Sequence, residues 1–296
     1  MSATRPPEPL RSLAIGPSTF WWGQRTFVMG VLNVTPDSFS GDGLLAAHDP
    51  VEAAVAQARR MATDGADLLD VGGASSRPGH APIDPVEEIA RVVPVLRAVA
   101  AALPDMPLSI DTASPAVAAA ALDAGAHLLN DIWGVAEDPG MVRLAAERAV
   151  PIVLMHNRAD ARYRNLMAEV VADLQRALDR ALDAGVAWDH LIVDPGFGFG
   201  KTPDHNLALL RDLAVLQVLG RPVLLGTSRK STLGKVLDLP ADQRVEATAA
   251  TTALGIAAGV DMIRVHDVRE NVRTARIADA ILRGWRPAGW PDGVGT

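Results

Sequence analysis

The sequence predicts an α/β fold, a single-domain TIM (β/α)8 barrel. Eight short apolar runs recur along the 296 residues, and each is followed by a helix-patterned stretch. Strand followed by helix, repeated, implies parallel strands joined by crossovers. Eight such units in roughly 250 residues is the size of a barrel, and all eight runs have the apolar character of internal strands. An open doubly wound sheet, the competing architecture, would ordinarily contain a weaker edge strand.

The predicted strands occupy residues 27–33, 66–71, 107–111, 127–132, 151–156, 191–194, 222–226 and 260–266. Helical spacing of apolar residues is clearest at residues 51–63, 85–102, 115–123 and 166–184. We therefore predict that the barrel spans residues 25–284. The N-terminal extension at 1–24 and the C-terminal tail at 285–296 are predicted to be loosely ordered.

The composition excludes several classes of protein. With 49% hydrophobic and 21% charged residues, the chain is typical of globular domains. The absence of cysteine excludes a disulfide scaffold, a Cys-ligated metal site and a thiol nucleophile, and it suits the cytoplasm, the predicted location. The sequence contains neither a signal-peptide pattern nor an apolar stretch long enough to span a bilayer. A formal net charge of −7 argues against nucleic-acid binding.

Polar residues concentrate at the C-terminal ends of the predicted strands, where barrel enzymes place their chemistry. Reading these ends in order gives Asn33, Asp70, Asp111, Asn130 with Asp131, His156 with Asn157, Asp194, the run 228–231, and Arg264 with His266. Asp70 and Asp131, taken singly, are interpreted as helix caps. As a set, the acids and amides predict a flat heterocyclic ligand such as a pterin or a purine. The cations of the last two elements predict a phosphate or diphosphate.

Common nucleotide and hydrolase motifs are missing. The run from Gly196 to Thr202 is not a P-loop because Pro195 stands where the first glycine is needed, and no dinucleotide-binding spacing is present. The glycines instead predict a tight turn after Asp194 that presents Phe197 and Phe199. The sequence also contains neither a nucleophile elbow nor a zinc-protease motif.

Eight motifs in this order resemble the dihydropteroate synthase family. They are VMGVLNVTPDSFS at 28–40, DVGGASSRPG at 70–79, SIDT at 109–112, LLNDIWG at 128–134, IVLMHN at 152–157, IVDPGFGFGKTPDHN at 192–206, TSRKSTLG at 227–234 and IRVHDV at 263–268. The resemblance covers nearly the whole barrel. It implies condensation of 7,8-dihydropterin-6-ylmethyl diphosphate with 4-aminobenzoate, in the presence of Mg²⁺, to give dihydropteroate and diphosphate.

The resemblance also implies residue roles. The implied pterin ligands are Asp111, Asn130, Met155, Asp194, Gly226 and Lys230. The implied aminobenzoate contacts are Phe39, Ser76, Arg77, Pro78, Phe199, Lys230 and Ser231. Asn33, Arg77, Arg264 and His266 would hold the diphosphate, with Asn33 also at the metal. Asp111, Asp194, Lys230, Arg264 and His266 would be the catalytic residues. A homodimer and inhibition by sulfonamides, which mimic aminobenzoate, are implied as well.

Physical chemistry agrees with an SN1-like route. Cleavage of the C–O bond leaves a cation conjugated with the pterin ring, which Asp111 and Asp194 would stabilise, while Arg264, His266 and the metal would offset the charge of the diphosphate. An arylamine that has attacked a cation loses its proton readily, so no strong general base is needed.

The chain also departs from the family pattern. The first loop reads SFSGDGL where SFSDGG is usual, Ala74 replaces a common acid, and Thr232 replaces a common large apolar residue. Because the last two are expected beside the aminobenzoate, sulfonamide affinity could differ from the family norm. Two other functions stay open: a non-catalytic or divergent pterin-binding homologue, and a corrinoid-linked methyltetrahydrofolate methyltransferase, for which the diphosphate-type cations would be unexplained.

Overall fold

Eight parallel strands form a curled sheet at the centre of the molecule. The computed structural model describes residues 12–35, 49–74, 83–134 and 139–290. The chain begins with two short strands, β1 (Leu13–Ile15) and β2 (Ser18–Phe20). The barrel strands are β3 (Phe27–Asn33), β4 (Leu68–Gly72), β5 (Leu108–Asp111), β6 (Leu128–Asp131), β7 (Ile152–Met155), β8 (Leu191–Asp194), β9 (Leu224–Leu225) and β10 (Met262–Val265).

The strand order confirms the predicted barrel. Hydrogen-bonded neighbours run β8-β7-β6-β5-β4-β3-β10-β9, with every pairing in this sheet parallel. A parallel bridge between Val193 and Val223 connects the two end strands and closes the ring. Each of the eight predicted runs contains one strand, although β9 is only two residues long.

Nine helices surround the strands in the described segments. They are α1 (Pro50–Thr63), α2 (Pro85–Ala102), α3 (Pro115–Asp123), α4 (Gly140–Arg148), α5 (Leu166–Asp183), α6 (Pro203–Arg211), α7 (Ser231–Leu237), α8 (Val245–Ala257) and α9 (Val268–Leu282). Four of them begin with proline, whose fixed φ and missing N–H suit the first helical turn. Short 3-10 segments occur at Trp188–His190, Leu213–Leu219 and Ala241–Gln243. No helix of the described segments has the length and apolar character needed to cross a membrane.

The strands alternate between two apolar environments. Side chains on the outward face pack against the helices in a large buried cluster. Side chains on the inward face form a smaller cluster inside the barrel, close to its N-terminal end. We call the strand residues of this inner cluster the lower layer: Phe27, Met29, Leu68, Leu128, Val153, Ile192, Leu224 and Met262.

The predicted loose order of the N-terminal extension is wrong for residues 12–24. Strands β1 and β2 form an antiparallel hairpin, and Ile15 and Phe20 are buried against the lower layer. The rings of Phe20 and Phe27 lie 4.6 Å apart, and Trp22 packs beside them while Trp21 is half exposed. Two three-residue strands are too short for a periodic signal, so the sequence did not reveal this floor of the barrel. Residues 1–11 and 291–296 lie outside the described segments.

Candidate active site

A second layer of inward-facing residues lies above the lower layer. Because side chains alternate across a strand, the residue two positions after each lower-layer residue faces inward as well. In four strands that residue is polar or charged, whereas the lower layer is entirely apolar. The upper layer is defined as the inward-facing residues that follow the lower layer from β4 onward, together with Asp111 of β5, which follows the buried Ser109. Its members are Asp70, Asp111, Asn130, Met155, Asp194, Gly226 and Arg264.

A cavity opens above the upper layer at the C-terminal ends of the strands. It is lined by Asp111, Asn130, Ile132, Met155, Asp194, Phe199, Gly226, Ser228, Lys230, Arg264 and His266. The structure therefore brings together nine of the residues to which the resemblance assigns a role. Ser228 belongs to the polar run 228–231 that the sequence singled out without a role, and Ile132 ends a predicted strand but was not singled out. This end of the barrel is where barrel enzymes bind their ligands.

A different cavity at the N-terminal end carries charge, but its two aspartates are already paired. Arg25 donates to both oxygens of Asp67 at 2.9 and 2.6 Å. Asp279 accepts hydrogen bonds from the backbone N–H and the hydroxyl of Thr26 at 2.6 and 2.9 Å. These groups attach the segment between the N-terminal hairpin and β3 to the rest of the barrel, so we assign this cavity a structural role.

Arg264 lies between two buried carboxylates. Its Nε donates to Oδ2 of Asp70 and its Nη2 to Oδ2 of Asp111, both at 2.6 Å. Burial opposes the charge of Arg264, but the two carboxylates outweigh it and raise its pKa. Asp70 is thus not a helix cap. It is completely buried and also accepts a hydrogen bond from Nδ2 of Asn130 at 2.9 Å.

Asp111 and Asp194 are acids with raised pKa values. Burial raises the pKa of Asp111 to about 7, with the charges of Arg264 and Lys230 opposing the shift and that of Asp70 adding to it. Its Oδ1 accepts no hydrogen bond from the described residues. Burial also raises the pKa of Asp194, although its Oδ1 accepts the N–H of Gly196 at 2.7 Å. Both side chains offer acceptor oxygens to a ligand with ring N–H groups.

The side chain of Lys230 lies beside Phe199 in the cavity lining. Its Nζ donates to the carbonyl of Phe197 at 2.6 Å and lies 3.9 Å from the centre of the Phe199 ring. Burial lowers the pKa of Lys230 to about 7, and the charge of Asp194 opposes that shift. Gly198 is required at its position, because its φ is +85° and a Cβ there would lie 2.8 Å from Cδ of Lys230.

Hydrogen bonds from the side chain of Lys201 hold the glycine-rich loop that follows Asp194. Nζ of Lys201 donates to the carbonyls of Gly196 and Phe199, both at 3.0 Å, and it lies 2.9 Å from Nδ1 of His156. Burial lowers the pKa of His156 to about 3, so its ring is neutral and accepts from Lys201. The loop presents only one of its two aromatic rings as expected: Phe199 lines the cavity, whereas Phe197 is buried in the outer core.

His266 packs against Ser228 in the cavity lining. The backbone N–H of His266 donates to Oγ of Ser228 at 3.1 Å, and Nδ1 of His266 lies 2.9 Å from the same oxygen. This contact fixes the orientation of the imidazole ring at the cavity, and either the hydroxyl or Nδ1 can be the donor.

The remaining candidates lie at the rim or outside the described segments. Asn33 ends β3 beside Gly72, which in turn pairs with Asp111, but Asn33 does not line the cavity. Ser231 is exposed at the start of α7. Thr232, expected beside the aminobenzoate, is instead buried and accepts a hydrogen bond from Asn206. The other four candidates lie outside the described segments: Phe39, Ser76, Arg77 and Pro78.

Comparison with known proteins identifies the family. The family model described as pterin binding enzyme matches residues 29–266. The dihydropteroate synthase of Clostridium beijerinckii is 47% identical over 92% of this chain and 100% of its own length. The Yersinia pestis enzyme in complex with a sulfonamide drug superimposes with a TM-score of 0.86 at 40% identity, covering 91% of this chain and 98% of that one.

A second solved structure agrees. The Xanthomonas albilineans dihydropteroate synthase with 4-aminobenzoic acid gives a TM-score of 0.85 at 40% identity, over 92% of this chain and 98% of that one. Sequence and fold similarity therefore extend over the whole barrel and include the strand ends that form the cavity. The chain belongs to the dihydropteroate synthase family of pterin-binding enzymes.

Proposed function

We propose that this chain condenses 7,8-dihydropterin-6-ylmethyl diphosphate with 4-aminobenzoate, giving 7,8-dihydropteroate and diphosphate. The observation that carries the proposal is the cavity above the upper layer. It combines buried acid and amide acceptors with cationic groups along one cavity wall. A pterin ring carries N–H and amino donors, and its diphosphate substituent carries the negative charge that such cations attract.

The pterin ring binds between Asp111, Asn130 and Asp194. Because Nδ2 of Asn130 donates to Asp70, the amide oxygen is the group that Asn130 offers to the ring. Asp111 and Asp194 contribute oxygens that are not used by the described backbone or side chains, and Lys230 contributes the donor. Met155 and Gly226 shape the floor of this pocket.

The aminobenzoate binds beside the pterin, toward Phe199. The ring of Phe199 and the stem of Lys230 pack against each other and form one wall. Ser231, at the exposed start of α7, would receive the carboxylate. Phe39, Ser76, Arg77 and Pro78 complete this site in the proposal, as the resemblance implies.

The C–O bond to the diphosphate breaks first, and the departing diphosphate takes both electrons of the bond. The carboxylates of Asp111 and Asp194 stabilise the cation that forms on the methylene and spreads into the pterin ring. The arylamine nitrogen then forms the new C–N bond, and its excess proton passes to water or to diphosphate. His266 and the free N–H groups of Arg264 stabilise the diphosphate as it leaves.

Magnesium fits this site only together with the diphosphate. Among the described residues, no group of three or more His, Asp or Glu side chains could hold a metal ion. Mg²⁺ is commonly held by one or two protein oxygens with substrate phosphates and water completing its shell. Asn33 would supply such an oxygen at the end of β3. When bound, the ion would offset the negative charge of the diphosphate.

Product formation tests the proposal directly. Purified protein with the pterin diphosphate, 4-aminobenzoate and Mg²⁺ is expected to release diphosphate and form dihydropteroate, and to release little when 4-aminobenzoate is omitted. A non-catalytic homologue would bind the pterin and release nothing. A corrinoid-linked methyltransferase would instead transfer the methyl group of methyltetrahydrofolate. Either result would overturn the proposal.

We also propose that sulfonamides compete with 4-aminobenzoate at the Phe199 wall. The similar Yersinia pestis enzyme binds a sulfonamide drug. A sulfonamide is expected to raise the KM for 4-aminobenzoate and leave the maximal rate unchanged. Inhibition that is insensitive to the aminobenzoate concentration would contradict this assignment.

A homodimer in the cytoplasm completes the proposal. Helices α8 and α9 pack side by side and expose the apolar side chains Leu254, Ile277 and Ile281, each more than 60% exposed. A second copy of the chain would cover this face. Sedimentation is expected to give a dimer that Ile277→Asp with Ile281→Asp converts to monomer. Val86→Asp, at an equally exposed valine of α2, is the matched control.

A further inference from the structure

Asp70 is the one upper-layer acid that does not line the cavity. Its side chain is completely buried and does not reach the cavity wall. Its Oδ2 accepts hydrogen bonds from Nδ2 of Asn130 at 2.9 Å and from Nε of Arg264 at 2.6 Å. Both donors belong to residues that do line the cavity. Within the described segments, Asp70 is therefore hydrogen-bonded to the site through these two side chains.

The bond to Asp70 sets the direction of the Asn130 amide. A carboxylate only accepts hydrogen bonds, so the NH2 group of Asn130 must face Asp70 and the amide oxygen must face the other way. Without the carboxylate, the amide could rotate and offer a donor to a ring that itself carries donors. The acceptor character of Asn130 in the pterin site thus depends on Asp70.

The same carboxylate holds the Arg264 guanidinium. Arg264 lies on β10, and the two acids that hold it lie on β4 and β5. Nε is fixed by Asp70 and Nη2 by Asp111, so the two contacts define the plane of the guanidinium. Loss of either acid would leave a planar cation with a single anchor.

We infer that Asp70 is a positioning residue of the pterin site, which turns Asn130 and Arg264 into their binding orientations without touching the substrate. This inference rests on the proposed function for its substrate. It extends the site from the cavity wall to the buried side chain behind it.

The charge of Asp70 also affects the titration of Asp111. Burial sets the pKa of Asp111 at about 7, and the charged groups that act on it are Arg264 and Lys230, which lower the pKa, and Asp70 and Glu88, which raise it. If Asp70 becomes neutral, one raising charge disappears, so the pKa of Asp111 falls. The acidic limb of a rate profile that needs ionised Asp111 then moves to lower pH.

Two substitutions separate charge from position. Asp70→Asn removes the negative charge that pairs with Arg264, and it is expected to raise the KM for the pterin diphosphate about tenfold or more. It should also move the acidic limb of kcat/KM to lower pH. Asp70→Glu keeps the charge but displaces the carboxylate, so it should raise the same KM while the acidic limb stays in place. The KM for 4-aminobenzoate should change less than about twofold in both variants.

Asp279→Asn is the matched control. Asp279 is also a buried aspartate beside an arginine, but it lies at the N-terminal end of the barrel, where it holds Thr26 and Arg283. It should lower the Tm and leave both KM values and the pH profile unchanged. If Asp70→Asn behaves like this control, the inference is wrong. If Asp70→Asn does not fold, an unaltered pterin KM in Asp70→Glu overturns it.

The test remains valid if the proposed reaction fails. In that case the binding of the pterin diphosphate to wild type and to the Asp70 variants is measured by calorimetry. Tighter binding by wild type, by about tenfold or more, would support the positioning role of Asp70. Equal affinities would overturn it. Absence of product from wild type, by contrast, would count against the proposed function alone.

Discussion

The lower and upper layers of the barrel share six strands, on which their residues lie two positions apart, and they have opposite chemistry. The lower layer is apolar throughout and rests on the N-terminal hairpin. The upper layer contains three buried aspartates and an arginine, and the pKa values of Asp111 and Asp194 are raised by burial. The lower layer therefore stabilises the fold, while the upper layer keeps charged groups ready for a ligand at a cost in stability.

This difference predicts that substitutions in the two layers have separable effects. The largest effect on stability is expected for Phe20→Ala, which removes a buried ring of the hairpin that packs against the lower layer. The free energy of unfolding should fall by about 3–5 kcal/mol because a cavity replaces the ring. Urea unfolding measures this change. Among the molecules that stay folded, kcat/KM should remain within about twofold of wild type.

A loss below about 1 kcal/mol would mean that the hairpin is not part of the core. Trp21→Ala is the matched control, because this neighbouring ring is 47% exposed. Trp21→Ala should lower the free energy of unfolding much less than Phe20→Ala, because about half of the Trp21 side chain is already in contact with solvent.

The largest effect on activity is expected for Asp194→Asn in the upper layer. The substitution removes a negative charge that would face the developing pterin cation, so kcat should fall about 100-fold to 1000-fold. Thermal unfolding should show an unchanged or higher Tm, because a desolvated carboxylate has been removed. A large loss of stability together with normal activity would reverse the roles that we assign to the two layers.

The pH dependence of the upper layer is the next test. Burial raises the pKa of Asp111 and lowers that of Lys230, in both cases to about 7. Activity requires ionised Asp111, which is lost as the pH falls through about 7, and protonated Lys230, which is lost as the pH rises through about 7. The kcat/KM for the pterin diphosphate should therefore be bell-shaped with its maximum near pH 7 and fall about tenfold per pH unit on each limb.

Lys230→Arg sharpens this assignment. Arginine keeps its charge over the whole range, so the basic limb should disappear while the acidic limb remains.

The pKa shifts of Asp111 and Lys230 also make the stability of the fold depend on pH, in opposite directions. Burial makes the folded state hold the Asp111 proton more tightly than the unfolded state, so this group's contribution to stability falls as the pH rises from about 4 to about 7. The lowered pKa of Lys230 makes its contribution rise above about pH 7.

The smallest effect is expected on the outer surface. Arg162 and Asp160 form an ion pair in which the arginine side chain is 89% exposed. Arg162→Ala should change the free energy of unfolding by less than about 1 kcal/mol and leave kcat/KM unchanged, because water screens such pairs. A larger change in either quantity would show that this surface loop contributes to stability or to activity, contrary to the assignment of both properties to the two layers.

The strands and their polar ends could be predicted because both follow from local pattern. Apolar runs of regular spacing give the barrel, and the two-residue period then brings Asp111, Asn130, Asp194 and Arg264 to one end. The hairpin could not be predicted, because Leu13–Ile15 and Ser18–Phe20 are too short for periodicity and depend on tertiary contacts.

The role of Asp70 was missed for a different reason. An aspartate at the end of a strand has the same local signature whether it caps a helix or holds an arginine 194 residues away. The same limit applies to the glycine-rich loop, where spacing alone does not show that Phe199 faces the cavity and Phe197 the core. Nor does it show that Lys201 meets His156, since that contact forms only in the folded barrel.

Binding of the pterin diphosphate to a variant of the hairpin under the lower layer and to a variant of the upper layer would decide whether the upper layer is the pterin site. Calorimetric titration of folded Phe20→Ala should give the Kd of wild type, whereas Asp194→Asn should bind at least about tenfold more weakly, because an acceptor for the ring is lost. Equal affinities for wild type and Asp194→Asn would contradict the assignment of the ring to the upper layer.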